Sequence, residues 1–394
     1  MSERKRLAVV VSHPIQYFAP LYRALAAEPS LDLHVLFASR IGLDKTFDPV
    51  MGTPVAWATD LAGGYSHEFL PEAGRINQVG FRRVDNPSVS GALRRFAPDA
   101  VILHGYAMLT MLRALAWCRA HGVKTILISD SSSHGAPAGP RRWAKEMIAP
   151  LLLRQYRAAL TMSERGERHL ASIGYPRDLM FRTPVMIDAV FWSARRERAR
   201  RRAEERARLG LAEDAFVLLY VGKLYPGKRV FDALRALEGL GDEQFGAGTA
   251  TLLVAGDGVE REALQRFAME HGLDVRLLGF VNVDALPQLY AAADALVHPA
   301  ESEQYGMVVL EAAVVGLPLI LSDRIGAVGA SSIARPDVNA LVYPCADIDA
   351  LSRAIASMQN DAELRRRMGA ASLTISVDHS GPESVRAVLM AVAC

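Results

Sequence analysis

Cysteine is scarce in this chain. Cys118, Cys345 and Cys394 lie far apart and form no C-x-x-C pair, which excludes a disulfide framework and a cysteine zinc site and fits a reducing, cytoplasmic setting. Long apolar runs are also lacking. The stretches around Tyr106–Cys118 and Met147–Leu160 are broken by Arg113, Arg154 and Arg157, so neither approaches the ~20 residues that a membrane-spanning helix needs. The opening M-S-E-R-K-R-L-A-V-V-V-S-H-P has an apolar core only from Leu7 to Val11 and no small-residue cleavage site after it. It reads as a first strand rather than a signal peptide. Aromatics are few, 7% against 51% hydrophobic residues, as expected of an α/β protein with aliphatic strands. A large charge excess is missing too, but the net +2 conceals an asymmetry: residues 1–188 sum to +7, 189–209 to +5 and 210–394 to −10. A basic front half and an acidic back half either meet different partners or face each other.

What is present is a strand–helix alternation, run through twice. At 394 residues the chain is too long for one ordinary core and suits two domains. In the first half Leu7–Ser12 reads as a strand, Ile15–Ala27 as a helix and Leu31–Phe37 as a strand. Residues 40–90 are rich in Gly, Pro and Asp and read as long loops with short elements. Ala100–Leu103, Thr125–Ser129, Ala158–Met162 and Phe181–Pro184 continue the strands, and Met108–His121, Arg141–Tyr156 and Glu164–Ile173 the helices. The second half restarts with strand Phe216–Val221 and helix Arg229–Leu240, then strand Ala250–Ala255 and helix Glu260–His271, and continues to Ile348–Met358. Such an alternation predicts mostly parallel sheets covered on both faces. Between the halves, R-R-E-R-A-R-R-R-A-E-E-R-A-R at 195–208 has no aromatic for base stacking and places Glu204 four residues before Arg208. It reads as a solvated connecting helix, not a nucleic-acid site.

Three glycine-bearing turns follow strands in the second half. V-G-K-L-Y-P-G-K (221–228) brings Gly222 with two cations, Lys223 and Lys228. A-G-D-G (255–258) sets Gly256 before a helix. His298–Leu321 carries Glu303 and Glu311 eight positions apart, with Gly306 where an apolar helix should begin. A helix start offers free N–H groups to an anion. Lysines beside it and carboxylates around it form a plausible grip for a phosphate-bearing sugar.

These segments resemble the nucleotide-sugar-binding domain of the GT-B glycosyltransferases, specifically the retaining family 4 group. The matching pieces are G-K-L-x-x-x-K (222–228), A-G-D-G with its helix, L-L-G-F-V (277–281), P-x-x-x-E-x-x-G-M-V-x-L-E-A (299–312) and A-L-V-Y-P-C-A-D-I-D-A-L (340–351). More loosely, P-V-M-I-D-x-x-x-F (184–191) and D-A-V-I-L-H-G (99–105) match the interdomain segment and a strand ending at the acceptor side. The resemblance implies an α/β, GT-B fold of two facing Rossmann-like domains with a cleft between them. Residues 1–190 would bind acceptor and 191–375 the nucleotide sugar, with a helix about 376–394 packing back on the first domain. It further implies that Lys223 and Lys228 contact the donor diphosphate, assisted by Gly222 and Gly256. Glu303 would take the sugar hydroxyls and Glu311 the ribose hydroxyls. Amides around Gly306, Met307 and Val308 would hold phosphate or sugar, and His104 would sit near the reacting sugar. The catalytic candidates are thus Glu303, His104 and Lys228. The implied reaction is sugar transfer from a nucleoside-diphosphate donor, UDP-sugar first, to a saccharide, lipid-linked or small-molecule hydroxyl, with retention and with no metal or cofactor.

Departures mark where this reading is open. Gln304-Tyr305 replaces the usual glycine and phenylalanine, and S-H-P-I-Q-Y-F (12–18) replaces a Gly-Gly loop. His13 and Gln16 thereby become acceptor-side candidates, as do Asp130 and His134 in S-D-S-S-S-H-G. Local turn roles explain His13, Asp130 and His134 equally well, and His104 also reads as a hydrogen-bonded strand-end residue. Trp143, Met147 and Leu151 amid Arg141, Arg142, Lys145 and Arg154 would suit a weak anionic-membrane contact of a peripheral protein or plain packing on the sheet. A GT-B nucleotide-sugar 2-epimerase and a non-catalytic sugar-nucleotide-binding partner are the alternative functions.

Overall fold

Parallel strands with helical crossovers build two separate sheets. The computed structural model describes residues 4–43, 46–48, 53–55, 60–129, 148–240 and 250–394. The chain divides into two compact units. One comprises Met1–Thr46, Val55–Met186 and Asp378–Cys394, and the other Phe47–Pro54 and Ile187–Val377.

In the first unit the strands are β1 (Lys5–Val11), β2 (Leu31–Phe37), β5 (His67–Phe69), β6 (Ala100–His104), β7 (Lys124–Ser129), β8 (Ala158–Thr161) and β9 (Met180–Arg182), in the order β5-β2-β1-β6-β7-β8-β9. All the pairings are parallel. Because both faces of a parallel sheet are covered, its central strands are near-continuous apolar runs: the last five residues of β1 and all of β6 are buried. Two short strands, β3 (Thr46–Asp48) and β4 (Thr53–Val55), form a small separate ladder. The terminal helix Pro382–Ala393 packs on β8, β9 and the Ala19–Ala26 helix. Ser384 Oγ donates to the Pro184 carbonyl at 2.6 Å and Lys124 Nζ caps the last turn at the Ala393 carbonyl, 3.3 Å away.

The second unit contains β10 (Val217–Val221), β11 (Thr251–Ala255), β12 (Val275–Gly279), β13 (Ala295–His298), β14 (Leu319–Ser322) and β15 (Ala340–Tyr343), again parallel, in the order β12-β11-β10-β13-β14-β15. In both sheets the chain lays strands outward to one side, returns to the centre and continues to the other. The turning points are β1/β6 and β10/β13. This is the doubly wound arrangement in which ligands bind beyond the carboxyl ends of the central strands.

The structure differs from the sequence expectation as follows. The first helix starts at Ala19 rather than Ile15, because residues 16–18 form a turn and Pro20 in the first helical turn has no N–H to give. Beyond the stretch 40–90 read as long loops, a helix not expected from the sequence, Val89–Phe96, buries Val89, Ala92 and Leu93. Residues 141–147 of the expected basic helix lie outside the described residues, and 148–153 are helical.

The largest correction concerns the arginine run. It is two helices, Ala189–Arg196 and Arg198–Arg208, and one face of the second is buried structure rather than solvated surface. Arg198, Arg202 and Arg206 recur at four-residue spacing and serve helix ends. Arg198 Nη1 donates to the Gly316 carbonyl at 2.7 Å. Arg202 donates to the Ala292 and Ala293 carbonyls at 3.1 and 2.9 Å and pairs with Asp294 at 2.7 Å. Arg206, 3% exposed, donates to the carbonyls of Ala292, Ala212, Glu213 and Ala215 and pairs with Asp294 at 2.8 Å. Carbonyls at a helix C-terminus have no intrahelical partners and carry negative partial charge, so a guanidinium fork is the matching donor. On the exposed side Arg200 pairs with Glu197 and Glu204, and Arg208 reaches back to the buried Glu205, so the Glu204–Arg208 pair that the spacing suggested does not form.

Replacing Arg206 by Met should leave the Glu213 and Ala215 carbonyls without this donor and take from Asp294 one of its two guanidinium partners. We expect a loss of about 3–5 kcal/mol, the range for breaking a buried ion pair, read as a lower urea midpoint. Arg200→Met on the exposed face should leave it essentially unchanged.

Candidate active site

At the β10/β13 turning point the loops leaving the two strands run in opposite directions, and the glycine turns meet there. Gly222 (φ 150°) directs its N–H to the Ala255 carbonyl at 3.0 Å, and Leu224 N–H reaches the Asp257 carbonyl at 2.9 Å. A Cβ on Gly256 would overlap the Gly222 carbonyl, so glycine there is a demand of close backbone approach. Tyr220 Oη donates to the Lys223 carbonyl at 2.9 Å. Gly222, Lys223 and Gly256 are therefore brought into one interlocked pair of loops.

Lys228 ends a short 3-10 turn, Pro226–Lys228, and Glu301 N–H donates to the Gly227 carbonyl at 3.1 Å. This contact pins the lysine loop to the segment after β13. Lys228 Nζ donates to Glu303 Oε2 in a half-buried ion pair. The segment is held from its other side by Gly326 N–H to the Glu303 carbonyl at 2.9 Å and Ala327 N–H to the Tyr305 carbonyl at 2.8 Å. Gly306 then takes the left-handed conformation (φ 95°) as N-cap of the helix Met307–Val315. The amides of Met307 and Val308 belong to its first turn, where no intrahelical acceptor exists. Gly316 (φ 86°) closes the helix, with Leu317 N–H on the Ala312 carbonyl at 2.9 Å.

From Val309 to Val315 every residue of this helix is buried, including Glu311. A helix apolar on all sides is a core element, and Glu311 is the one charge inside it. Burial pushes its carboxyl up to about 7, against a smaller downward pull from Tyr290, whose Oη donates to Glu311 Oε2 at 2.7 Å. Glu303 is opposite in sign. Burial alone would raise it, but hydrogen bonds and charge from His298 and Lys228 bring it down to about 2. His298 Nε2 lies 3.3 Å from Glu303 Oε2. One carboxylate is firmly ionised and the other sits near neutrality, about a helical turn inside the fold.

The first unit gathers its candidates at the matching turning point. Val10 is in register with Leu103, so His13 just beyond β1 and His104 at the end of β6 belong to adjacent strands. His13 Nδ1 bonds Ser12 Oγ at 2.8 Å, and burial lowers its affinity for a proton. His104 is buried and is pushed down to about 3, first by burial and then by His13. Its Nε2 bonds Tyr22 Oη at 2.8 Å and its ring meets Phe18 edge-on at 4.5 Å. Such a residue is a neutral imidazole in the folded chain. Gln16 lies half-buried in the turn after His13. Asp130 and His134 fall outside the described residues. Among the described residues no three His, Cys, Asp or Glu side chains cluster as metal ligands would, and no helix is long and apolar enough to cross a membrane.

Sequence reasoning missed Tyr290 and His298. Tyr290 is 21 residues from Glu311, beyond any local spacing rule. His298 was in view as the residue before Pro299, but nothing in the sequence says which way it points.

Comparison with known proteins matches residues 201–373 to the family model "Glycosyl transferases group 1" and residues 14–185 to "Glycosyl transferase 4-like domain". The chain is 30% identical over 295 residues to the glycogen synthase of Mycobacterium tuberculosis, covering 73% of this chain and 67% of that one. It is 34% identical over 142 residues to an uncharacterized glycosyltransferase of Methanocaldococcus jannaschii, covering 35% of each. The matched segments thus span about one third and two thirds of these relatives' own lengths. Among solved structures, Alr3699/HepE of Anabaena in complex with UDP aligns with a TM-score of 0.72 at 16% identity, over 99% of this chain and 100% of that one.

The raised Glu311 gives a stability test. In the folded chain this carboxyl holds its proton to higher pH than its ordinary 4.5. Ionisation therefore opposes folding, and stability falls as pH rises from about 4.5 to about 7, by roughly 3 kcal/mol at most. Glu311→Gln should raise the melting temperature at pH 8 and change it little at pH 5.

Proposed function

As a member of the group 1 glycosyl transferases with the GT-B fold, this chain is a glycosyltransferase, and we propose that it moves a sugar from a nucleoside-diphosphate donor to an acceptor hydroxyl with retention of configuration. The observation that carries the proposal is the Lys228–Glu303 pair beside the Gly306 helix start, with Glu311 on the same helix. A departing nucleoside diphosphate develops negative charge. Lys223, Lys228 and the amides of Met307 and Val308 can neutralise it from fixed positions, the arrangement most effective in a site that excludes water. No metal or cofactor is needed in this reading. Glu303, kept ionised, accepts hydrogen bonds from the sugar hydroxyls, and Glu311 accepts them from the ribose. Neither is assigned as a covalent nucleophile, so the acceptor attacks on the face the leaving phosphate vacates, with that phosphate taking its proton.

UDP is the donor nucleotide we favour, because the Anabaena structural relative was solved with UDP and also with UDP and glucose. His104 serves beside the reacting sugar, and His13, Gln16, Asp130 and His134 on the acceptor side. Polysaccharide or glycoconjugate synthesis is the setting that such an acceptor implies. A weak contact of the first unit with anionic membrane belongs to the same reading, supported by the exposed Ile148 and Leu151 (53% and 59%) three residues apart with Arg154 following.

Incubation with a panel of nucleotide sugars, following nucleoside diphosphate release, tests the reaction. Release that depends on acceptor supports transfer; rearranged monosaccharide without acceptor would make the protein an epimerase, and binding without release a non-catalytic partner. Lys228→Ala should slow turnover at least tenfold, since a charged hydrogen bond contributes about 1.5–3 kcal/mol. A thermal-shift screen should show UDP stabilising the protein more than GDP, ADP or CMP. For the membrane contact, retention on anionic but not neutral liposomes, lost at high salt, is expected.

A further inference from the structure

Both described partners of the Glu303 carboxylate fall on the same oxygen, Oε2: Lys228 Nζ and His298 Nε2. The two partners differ in kind. Lys228 is on a loop and, if it neutralises the donor diphosphate, must share its charge with substrate. His298 cannot. Its side chain is 1% exposed, it ends strand β13, and its ring is stacked on Tyr220 with centroids 5.9 Å apart and planes 17° apart. We infer that His298 is the positioning residue of this site, a neutral Nε2–H imidazole that holds Glu303 Oε2 from within the protein so that Oε1 stays aimed at the sugar while Lys228 turns to the phosphate. The inference rests on the reading of Glu303 as the sugar-contacting carboxylate.

The tautomer follows from its surroundings. His298 Nδ1 is buried with no hydrogen-bond partner among the described residues. In the Nδ1–H form a donor would be buried unpaired while the Nε2 lone pair faced a carboxylate, two unfavourable contacts instead of one unfilled acceptor. The imidazolium form would also leave a buried N–H unpaired at Nδ1. Burial disfavours it first, and Lys228 opposes it as well, against the attraction of Glu303. The neutral Nε2–H ring satisfies the carboxylate at the least cost. An anchor of this type fixes a long side chain before substrate arrives, so that binding need not order it.

The test compares the wild type with His298→Leu and His298→Gln, whose amide nitrogen can stand near the Nε2 position. Glu303 is assigned to the sugar and not to the nucleotide. His298→Leu should therefore cut turnover of the nucleotide sugar at least tenfold while leaving affinity for the nucleoside diphosphate alone within about twofold. His298→Gln should recover most of the loss. Unchanged turnover in His298→Leu, an equal fall in nucleoside diphosphate affinity, or a glutamine variant no better than leucine overturns the inference. A substrate-free readout separates it from the functional proposal. Nitrogen-15 NMR of the wild-type imidazole should report the Nε2–H tautomer near pH 7. The Nδ1–H tautomer or an imidazolium overturns the positioning role whatever the substrate is. The expected tautomer in a protein that turns over no nucleotide sugar leaves the anchor standing as geometry and overturns the sugar assignment.

Discussion

The second unit depends on one constraint, the near-complete burial of the Met307–Val315 helix. Nothing from Val309 onward faces water, so apart from Glu311 its polarity lies at its two ends. Its start is turned by Gly306, where the first-turn amides have no intrahelical acceptor, and its finish is turned by Gly316, whose carbonyl receives Arg198. Close packing reaches the far end as well: a Cβ on Gly369 of the Ala362–Ile375 helix would press on the Gly316 carbonyl. A helix held this tightly at its C-terminus presents its N-terminal amides in a fixed direction, which a preorganised anion site requires. The same burial makes Glu311 costly to ionise and gives Tyr290 its role as the donor nearest to it.

Much of this was legible in the sequence because it depends on local rules. Apolar runs bounded by Gly and Pro located the strands, and the strand–Gly–helix pattern located Gly222, Gly256 and Gly306, each of which occupies a turn or a close approach in the structure. Parallel topology followed from the alternation alone. What stayed hidden was nonlocal. No spacing rule joins Tyr290 to Glu311 or tells which way His298 faces, since both depend on how helices settle on the sheet. Nor does the sequence say that Lys228 and Glu303, 75 residues apart, meet directly.

The arginine stripe shows a different kind of limit. Composition made residues 195–208 look like a solvated helix, and for Arg200 and Arg208 that is what the structure contains. The alternate face reads differently only when its targets are known, because helix-terminal carbonyls leave no mark in a residue count. Arg198, Arg202 and Arg206 recur every fourth position, a spacing that places one face of a helix against a common surface. Applied to apolar residues this periodicity signals a core; applied here to cations, it signals the ends of neighbouring helices.

The Arg198 contact also bears on where a domain begins. Similarity to the group 1 family starts at residue 201, and a boundary drawn there would leave Arg198 behind. The part that remained would keep every glycine turn, both lysines and both glutamates, yet the Gly316 carbonyl would lose its donor at the far end of the helix that Gly306 opens. The physical unit begins earlier than the recognisable one, its main segment running from Ile187.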